Sequence, residues 1–200
     1  MMHSISSFFA VISFLLFMAV FSFSAGNLRA EDAGSVPNEL QVVDHVELSR
    51  YLGAWYEVAS IPVWFQKDCA GGTKATYSLN KDGTISVLNQ CCTKDGQKKE
   101  ARGQAWVVDK KTNAKLKVSF FSLFGFWLFA GDYWVIDLGP NYEYAVIGHP
   151  GRSIGWILSR TPVLAEDVLK GIGERLIAKG YNFSQFKMTN QTDSACTTPQ

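Results

Sequence analysis

The sequence predicts an all-β protein: an eight-stranded antiparallel up-and-down β-barrel with one C-terminal α-helix packed on the outside. Three observations carry this. From residue 53 to 160, short runs of alternating apolar and polar residues recur at fairly even spacing. Turn signals divide them, among them Asn80-Lys81-Asp82-Gly83, Asp95-Gly96 and Gly139-Pro140-Asn141. After Pro162 the period becomes helical, with Leu164, Val168, Leu169, Ile172 and Leu176 on one stripe. An immunoglobulin-like sandwich, the main rival, has fewer strands and no long amphipathic helix. A barrel of eight strands has room for one small ligand.

The first strand covers 53–60, within the stretch Leu52-Gly53-Ala54-Trp55-Tyr56-Glu57-Val58. Gly53 lets the chain bend into the sheet. Alternation puts Trp55, Glu57 and Ala59 on one face and Tyr56 and Val58 on the other. Trp55 carries an N–H that needs a partner once buried. Residues 61–70 form a loop with adjacent Trp64 and Phe65. The second strand is 73–79 and the third 84–92, with Ile85, Val87, Asn89 and Cys91 on one face. The fourth is 101–108 and the fifth 115–121. Residues 122–130 read as an apolar loop, in which only Gly125 interrupts Leu123, Phe124, Phe126, Trp127, Leu128 and Phe129. The sixth strand is 132–138, the seventh 142–148 and the eighth 153–160. Pro162 suits a first helical turn and Gly180 the position just past the helix end. An extended segment, 183–188, leads to a polar tail at 191–200.

Composition narrows the function classes. The 200 residues are 47% hydrophobic and 18% charged, enough for one sizeable core. Net charge is +1, and the longest basic run, Lys98 to Arg102, is broken by Glu100. No nucleic-acid surface is expected. Residues 1–30 hold no acid and one base, Arg29, and Phe8 to Phe23 is almost wholly apolar. This is the pattern of a signal peptide cleaved between about 24 and 30, with an uncleaved anchor as the alternative. No cysteine lies near its end, so the lipid-modified cysteine of a bacterial lipoprotein is not expected. Residues 31–48 are an N-terminal segment in which Val42 to Leu48 close one end of the sheet, and the barrel and helix occupy 49–190. The chain is expected to be secreted, or periplasmic if bacterial. Cys69, Cys91, Cys92 and Cys196, an even number behind a signal peptide, read as disulfides. Asn182 and Asn190 head sequons that a eukaryotic secretory pathway would glycosylate.

Three segments resemble the lipocalin family, near its bacterial lipocalin and apolipoprotein D branch. Tyr51 to Val58 contains the family's G-x-W motif. Ala75-Thr76-Tyr77-Ser78-Leu79 through Gly83 to Val87-Leu88-Asn89 is the second. Trp156-Ile157-Leu158-Ser159-Arg160-Thr161-Pro162 carries the family's arginine after the last barrel strand. With Lys115 to Phe120, the match spans roughly 45–190. The family's T-D-Y turn is replaced here by Leu138-Gly139-Pro140-Asn141-Tyr142. The resemblance implies that Arg160 lies over the Trp55 indole at the closed end, so Gly53, Trp55 and Arg160 are structural.

An inward Arg160 turns Leu158 and Trp156 inward and Ile157 and Ser159 toward the helix. The expected ligand contacts are Glu57, Tyr77, Val87, Asn89, Val118, Phe120, Tyr133, Val135, Tyr144, Trp156 and Leu158. Leu116 and Val146 are expected to face inward as well. An apolar lining with few polar points suits a fatty acid, a lysophospholipid or a similar molecule. The resemblance places Trp64, Phe65, Phe124, Phe126, Trp127 and Phe129 together at the mouth, as a membrane contact or a homodimer interface. It also favours a Cys69–Cys196 disulfide. Cys69–Cys91 with Cys92–Cys196 is geometrically easier, since a vicinal Cys91–Cys92 bridge is strained. A free Cys91 thiol would allow a lipocalin-type isomerase, but no histidine is placed to activate it. A haem or pigment carrier is the other alternative, with no good axial ligand. Catalytic residues, metal sites and cofactors are not expected.

Overall fold

The computed structural model describes residues 39–192. The leader, the first part of the N-terminal segment and Cys196 lie outside the described residues. Eight strands close into an antiparallel barrel: β1 (Gly53–Ser60), β2 (Cys69–Leu79), β3 (Ile85–Thr93), β4 (Lys98–Val107), β5 (Lys115–Ser119), β8 (Gly131–Leu138), β9 (Tyr144–Gly148) and β10 (Gly155–Ser159). Each pairs with the next, and β10 pairs with β1 to complete the ring. Between β5 and β8 the chain forms a separate hairpin, β6 (Phe121–Leu123) and β7 (Phe126–Leu128). The apolar loop expected at 122–130 is thus itself β-structure. A last short strand, β11 (Lys187–Met188), joins the edge of β1.

Two apolar cores lie on either side of the barrel wall. The inner one gathers Trp55, Tyr77, Ile85, Val87, Leu116, Val135, Ile147 and Leu158. The outer one packs Val58, Ile136, Val146 and Ile157 against Ile172 and Leu176 of helix α2 (Glu166–Ala178). The helix starts four residues later than Pro162 suggests. Its first turn carries Glu166 and Asp167, which favour the positive end of the helix dipole. Gly180 has φ +84°, and Tyr181 N–H donates to Leu176 O at 2.9 Å, closing the helix as expected.

Register corrects three inward assignments. In β9 it is Ala145 and Ile147 that pair with the inward Leu158 and Trp156. Tyr144 and Val146 therefore face the helix, and the Tyr144 hydroxyl accepts from Arg175 Nη2 at 2.9 Å. Tyr142 has φ +62° and ends a turn rather than beginning the strand. In β1 a bulge falls between Glu57 and Ala59, so Val58 and Ala59 both join the outer core.

The same bulge opens a seam. Pairing of β1 with β2 stops at Tyr56 and Lys74. Above it the C-terminal strap fills the gap: Thr189 N–H donates to Val58 O, and Gly72 N–H to Asn190 O. The Gln191 amide donates to Glu57 O and Thr73 O, 2.7 Å each, replacing a missing ladder rung.

The opposite end is closed. Val46 is buried there, followed by the single turn α1 (Leu48–Tyr51). The Trp55 indole N–H donates to Tyr51 O at 2.8 Å. The Arg160 guanidinium lies 3.7 Å from the centre of the Trp55 ring and donates to Ala54 O and Arg50 O. Gly53 adopts φ +91°, and a Cβ there would touch Arg160 at 3.5 Å.

Replacing Arg160 by Met removes the stacking and both charged hydrogen bonds. Stability should fall by about 1–3 kcal/mol, read from urea denaturation midpoints. Arg160→Lys should recover little of it, because a point charge cannot stack flat and reach both carbonyls.

Candidate functional site

The strand directions place the 61–68, 94–97, 120–130 and 149–154 connections at one end and α1 at the other. The barrel interior between them is the candidate site. Its floor is aromatic. The Tyr133 hydroxyl lies 2.8 Å from that of Tyr51 and 3.0 Å from that of Tyr77. Tyr51 rests on Trp55, ring centres 5.1 Å apart. Burial, more than the neighbouring hydroxyls, pushes the Tyr51 and Tyr133 hydroxyls well above the ordinary tyrosine range and Tyr77 up to about 12. All three stay neutral. They share two hydrogen bonds, so one O–H has no acceptor among the described residues.

Of the expected contacts, the structure brings Tyr77, Val87, Tyr133, Val135 and Leu158 into the inner core, with Val118 and Trp156 packed against it. Asn89 pairs across the sheet with Ala75 on one side and Ala101 on the other. Its Oδ1 is buried without a hydrogen-bond partner. Phe120 lies nearer the rim, 43% exposed, against Gly103. A Cβ on Gly103 would stand 2.5 Å from Ser119 O and 2.8 Å from the Phe120 ring, so only glycine fits.

Glu57 is buried, but its oxygens are engaged. They accept from Ser60 Oγ, Gln66 Nε2 and Thr189 Oγ1 at 3.0, 2.8 and 2.6 Å. Gln66 also accepts from Trp156 Nε1 at 3.2 Å, tying the first loop to the inner wall. Tyr51, Gln66 and Gln191 escaped sequence reasoning. Tyr51 sits on a helical turn outside the alternating pattern, and the two glutamines act through side-chain bonds that no periodicity encodes.

The mouth residues are exposed. Trp64 and Phe65 occupy a short 3-10 turn, and Phe124 and Phe129 are about nine-tenths exposed. Phe126 is exposed and Trp127 half-buried. The hairpin is fastened at its base by Ser119, whose single hydroxyl proton is shared between Phe121 O and Leu128 O.

Of the two pairings the sequence leaves open, the geometrically easier one forms, and the one the resemblance favours does not. Cys69 is bonded to Cys91, with Cα atoms 5.7 Å apart on adjacent strands, and not to Cys196. These two positions are cross-strand neighbours at the open end, which a bond to the tail would not exploit. Cys92 is disulfide-bonded as well. Cys91 thus has no thiol to offer as a nucleophile. Among the described residues no group of His, Cys, Asp or Glu is placed to hold a metal ion. The sequon asparagines Asn182 and Asn190 are both exposed.

A closed antiparallel barrel with a cation-capped tryptophan at its base and an outer helix defines a small-molecule-binding barrel. The chain belongs to the lipocalin family: the lipocalin-like domain matches residues 46–191. Temperature-induced lipocalin-1 of Arabidopsis thaliana is 42% identical over 78% of this chain and 85% of its own. The outer membrane lipoprotein Blc of Escherichia coli K12 is 36% identical over 79% and 86%. Mouse apolipoprotein D is 28% identical over 92% and 97%. Insecticyanin from the tobacco hornworm Manduca sexta shares the fold, with a TM-score of 0.65 at 23% identity over 82% of this chain and 89% of that one. Fold and relatives together support the binding of a small hydrophobic molecule.

The tyrosine floor makes the protein sensitive to alkali. A tyrosine whose folded pKa is raised keeps its full stability below pH 10 and loses it as pH climbs through the folded value. Urea midpoints should therefore hold to about pH 9 and drop between about pH 10 and 12. The slope should reach up to about 1.4 kcal/mol per pH unit for each tyrosine.

Proposed function

We propose that this lipocalin works outside the cytoplasm. It holds a lipid with a long apolar body and one small polar end, in the class of a fatty acid or lysophospholipid, and exchanges it with a membrane. The tail would lie along the inner wall, where each buried CH₂ contributes about 0.8 kcal/mol. The leader, the Cys69–Cys91 disulfide and the likeness to a protein named as an outer membrane lipoprotein support a location outside the cytoplasm. The locked Cys91 argues for a binding protein over an enzyme.

One observation carries the membrane part. Phe124 and Gly125 form the two-residue turn of the β6–β7 hairpin, both at positive φ, 51° and 84°. Such turns favour Asn-Gly, because a bulky side chain is strained there. Here the strained position holds a phenylalanine that is 91% exposed. From Ser119 to Gly131 no residue is charged. A local structure that spends strain to hold an aromatic ring in water is suited to a surface that is not water. No helix among the described residues is long and apolar enough to cross a membrane.

Phe124→Asn should raise stability by about 1 kcal/mol through relief of the turn. It should also weaken co-sedimentation with phosphatidylcholine vesicles tenfold or more, the equivalent of burying one phenylalanine. Pairing it with Phe126→Ser should abolish vesicle binding. If wild type ignores vesicles and instead forms dimers that these substitutions dissociate, the rim is a protein interface and the exchange function fails.

A further inference from the structure

Strand order sets the sequence of connections round the mouth: 61–68, 94–97, the β6–β7 hairpin and 149–154. Aromatic and basic groups alternate along the first three. Trp64 and Phe65 are on the first, and Phe124 and Phe126 on the hairpin. Between them lies the β3–β4 turn with Lys94, followed by Lys98 and Lys99 at the start of β4, all three exposed. Lys67 is exposed on the first connection, and Lys187 on the strap opposite Ser60 at the end of β1.

Most acids at this end are already matched. Asp68 pairs with Lys99 at 3.0 Å, and Asp132 with Lys117 at 2.9 Å. Glu100 is shared by Lys98 and Arg102, at 3.7 and 3.3 Å. Asp95 is the one further exposed acid on these connections among the described residues, set against Lys67, Lys94 and Lys187. Lys99, and after it Lys67 and Lys94, hold the Asp68 carboxyl below the ordinary aspartate range, which places the three ammonium groups in one neighbourhood. The closed end shows no such excess. Its segments 44–50, 80–84, 109–113 and 137–143 hold six acids and, with Arg160, five bases, so the surplus positive charge belongs to the mouth.

An anionic head-group layer matches this arrangement. Rings that enter the acyl boundary carry the neighbouring lysines to the level of the lipid phosphates, and the aliphatic stems let the ammonium groups reach them. A zwitterionic surface has no net charge to offer; an anionic one attracts each lysine. An acidic protein surface would match the lysines but leave the exposed rings in water. Resting on the membrane contact proposed above, we infer that the mouth docks on an anionic bilayer, with Lys67, Lys94 and Lys98 on lipid phosphates and the aromatic rings between the head groups.

Co-sedimentation compares vesicles of phosphatidylcholine alone with vesicles containing about one-third phosphatidylglycerol. In about 20 mM salt, wild type should bind the anionic vesicles about tenfold or more tightly, since each lysine near such a surface is worth about fivefold. About 0.5 M salt should erase the difference, because the screening length then falls to about 4 Å. Lys67→Gln, Lys94→Gln and Lys98→Gln combined should remove most of the preference and leave phosphatidylcholine binding unchanged. Lys81→Gln, Lys110→Gln and Lys111→Gln combined take the same charge from the closed end and should leave the preference intact. Equal binding of wild type to both vesicles in low salt, or equal losses in the two triple variants, would overturn the charge assignment alone. If wild type binds neither vesicle, the membrane contact falls and this inference with it; binding to polyglutamate in that case marks a protein-docking surface.

Discussion

The contact between the Arg160 guanidinium and the Trp55 indole fixes everything at the closed end. Each partner needs the other's surroundings. The indole is fully buried, so its N–H must find an acceptor, and Tyr51 O is there because α1 ends with only Leu52 between it and the sheet. That turn leaves carbonyls without helical partners, and the guanidinium supplies donors to Arg50 O and, beyond it, to Ala54 O. One side chain thus stacks on the tryptophan, caps the turn and pins β1 to the segment before it. Burial presses the guanidinium toward a lower pKa, yet arginine remains charged throughout the working range. Because Tyr51 belongs to the capped turn, its hydroxyl is held in place for Tyr133 and Tyr77. The tyrosine floor is a consequence of the plug.

The two ends of the barrel follow opposite rules. At the base side chains bind the backbone, down to Tyr142, whose hydroxyl accepts from Glu47 N–H while Arg50 lies over its ring. At the mouth large apolar rings stand in water, on a hairpin whose tip is strained. An isolated two-stranded hairpin is marginal on its own. This one is fastened at the base by the Ser119 hydroxyl, itself almost fully buried. The rigid floor and the aromatic rim are therefore independent structures joined only through the wall, and a change at the rim need not disturb the plug.

Much of this was legible in the residues. Even spacing and turn signals gave eight strands, and G-x-W with the arginine after the last strand gave the plug. The failures have physical causes. Strict alternation cannot foresee a bulge, and the one after Glu57 turned Ala59 outward. The parity of β9 depends on where the preceding turn releases the chain. Tyr142 looks like a strand residue by propensity but takes a left-handed conformation, so Tyr144 was assigned to the wrong face. The 122–130 stretch reads as a loop because its apolar run has no period of two. Strand pairing there comes from a turn occupied by Phe-Gly, which composition alone does not mark. For the disulfide, the resemblance favours Cys69–Cys196, and the geometrically easier Cys69–Cys91 is the one that forms, on adjacent strands.

Glu57 and Asn89 show why position on the inner face is not enough to assign a polar residue to a ligand. Both project inward, Glu57 from β1 and Asn89 from β3 with β2 between them, and both read as polar points in an apolar lining. Counting partners separates them. Glu57 sits where β1 bulges away from β2, a place where a closed barrel would otherwise expose backbone to its own core. Its carboxyl group binds Ser60 beside it, Gln66 from the first loop and Thr189 from the C-terminal strap, while Gln191 takes up its carbonyl. Its hydrogen bonds are spent on keeping the wall shut. Asn89 lies in an unbroken stretch of ladder, where alanines on both sides leave its Oδ1 without a partner. Nothing in the wall requires an amide there, and folding gains nothing from an unpaired one. A polar group that the fold has already used belongs to the architecture. One whose oxygen the fold leaves without a partner, as at Asn89, takes no part in that closure.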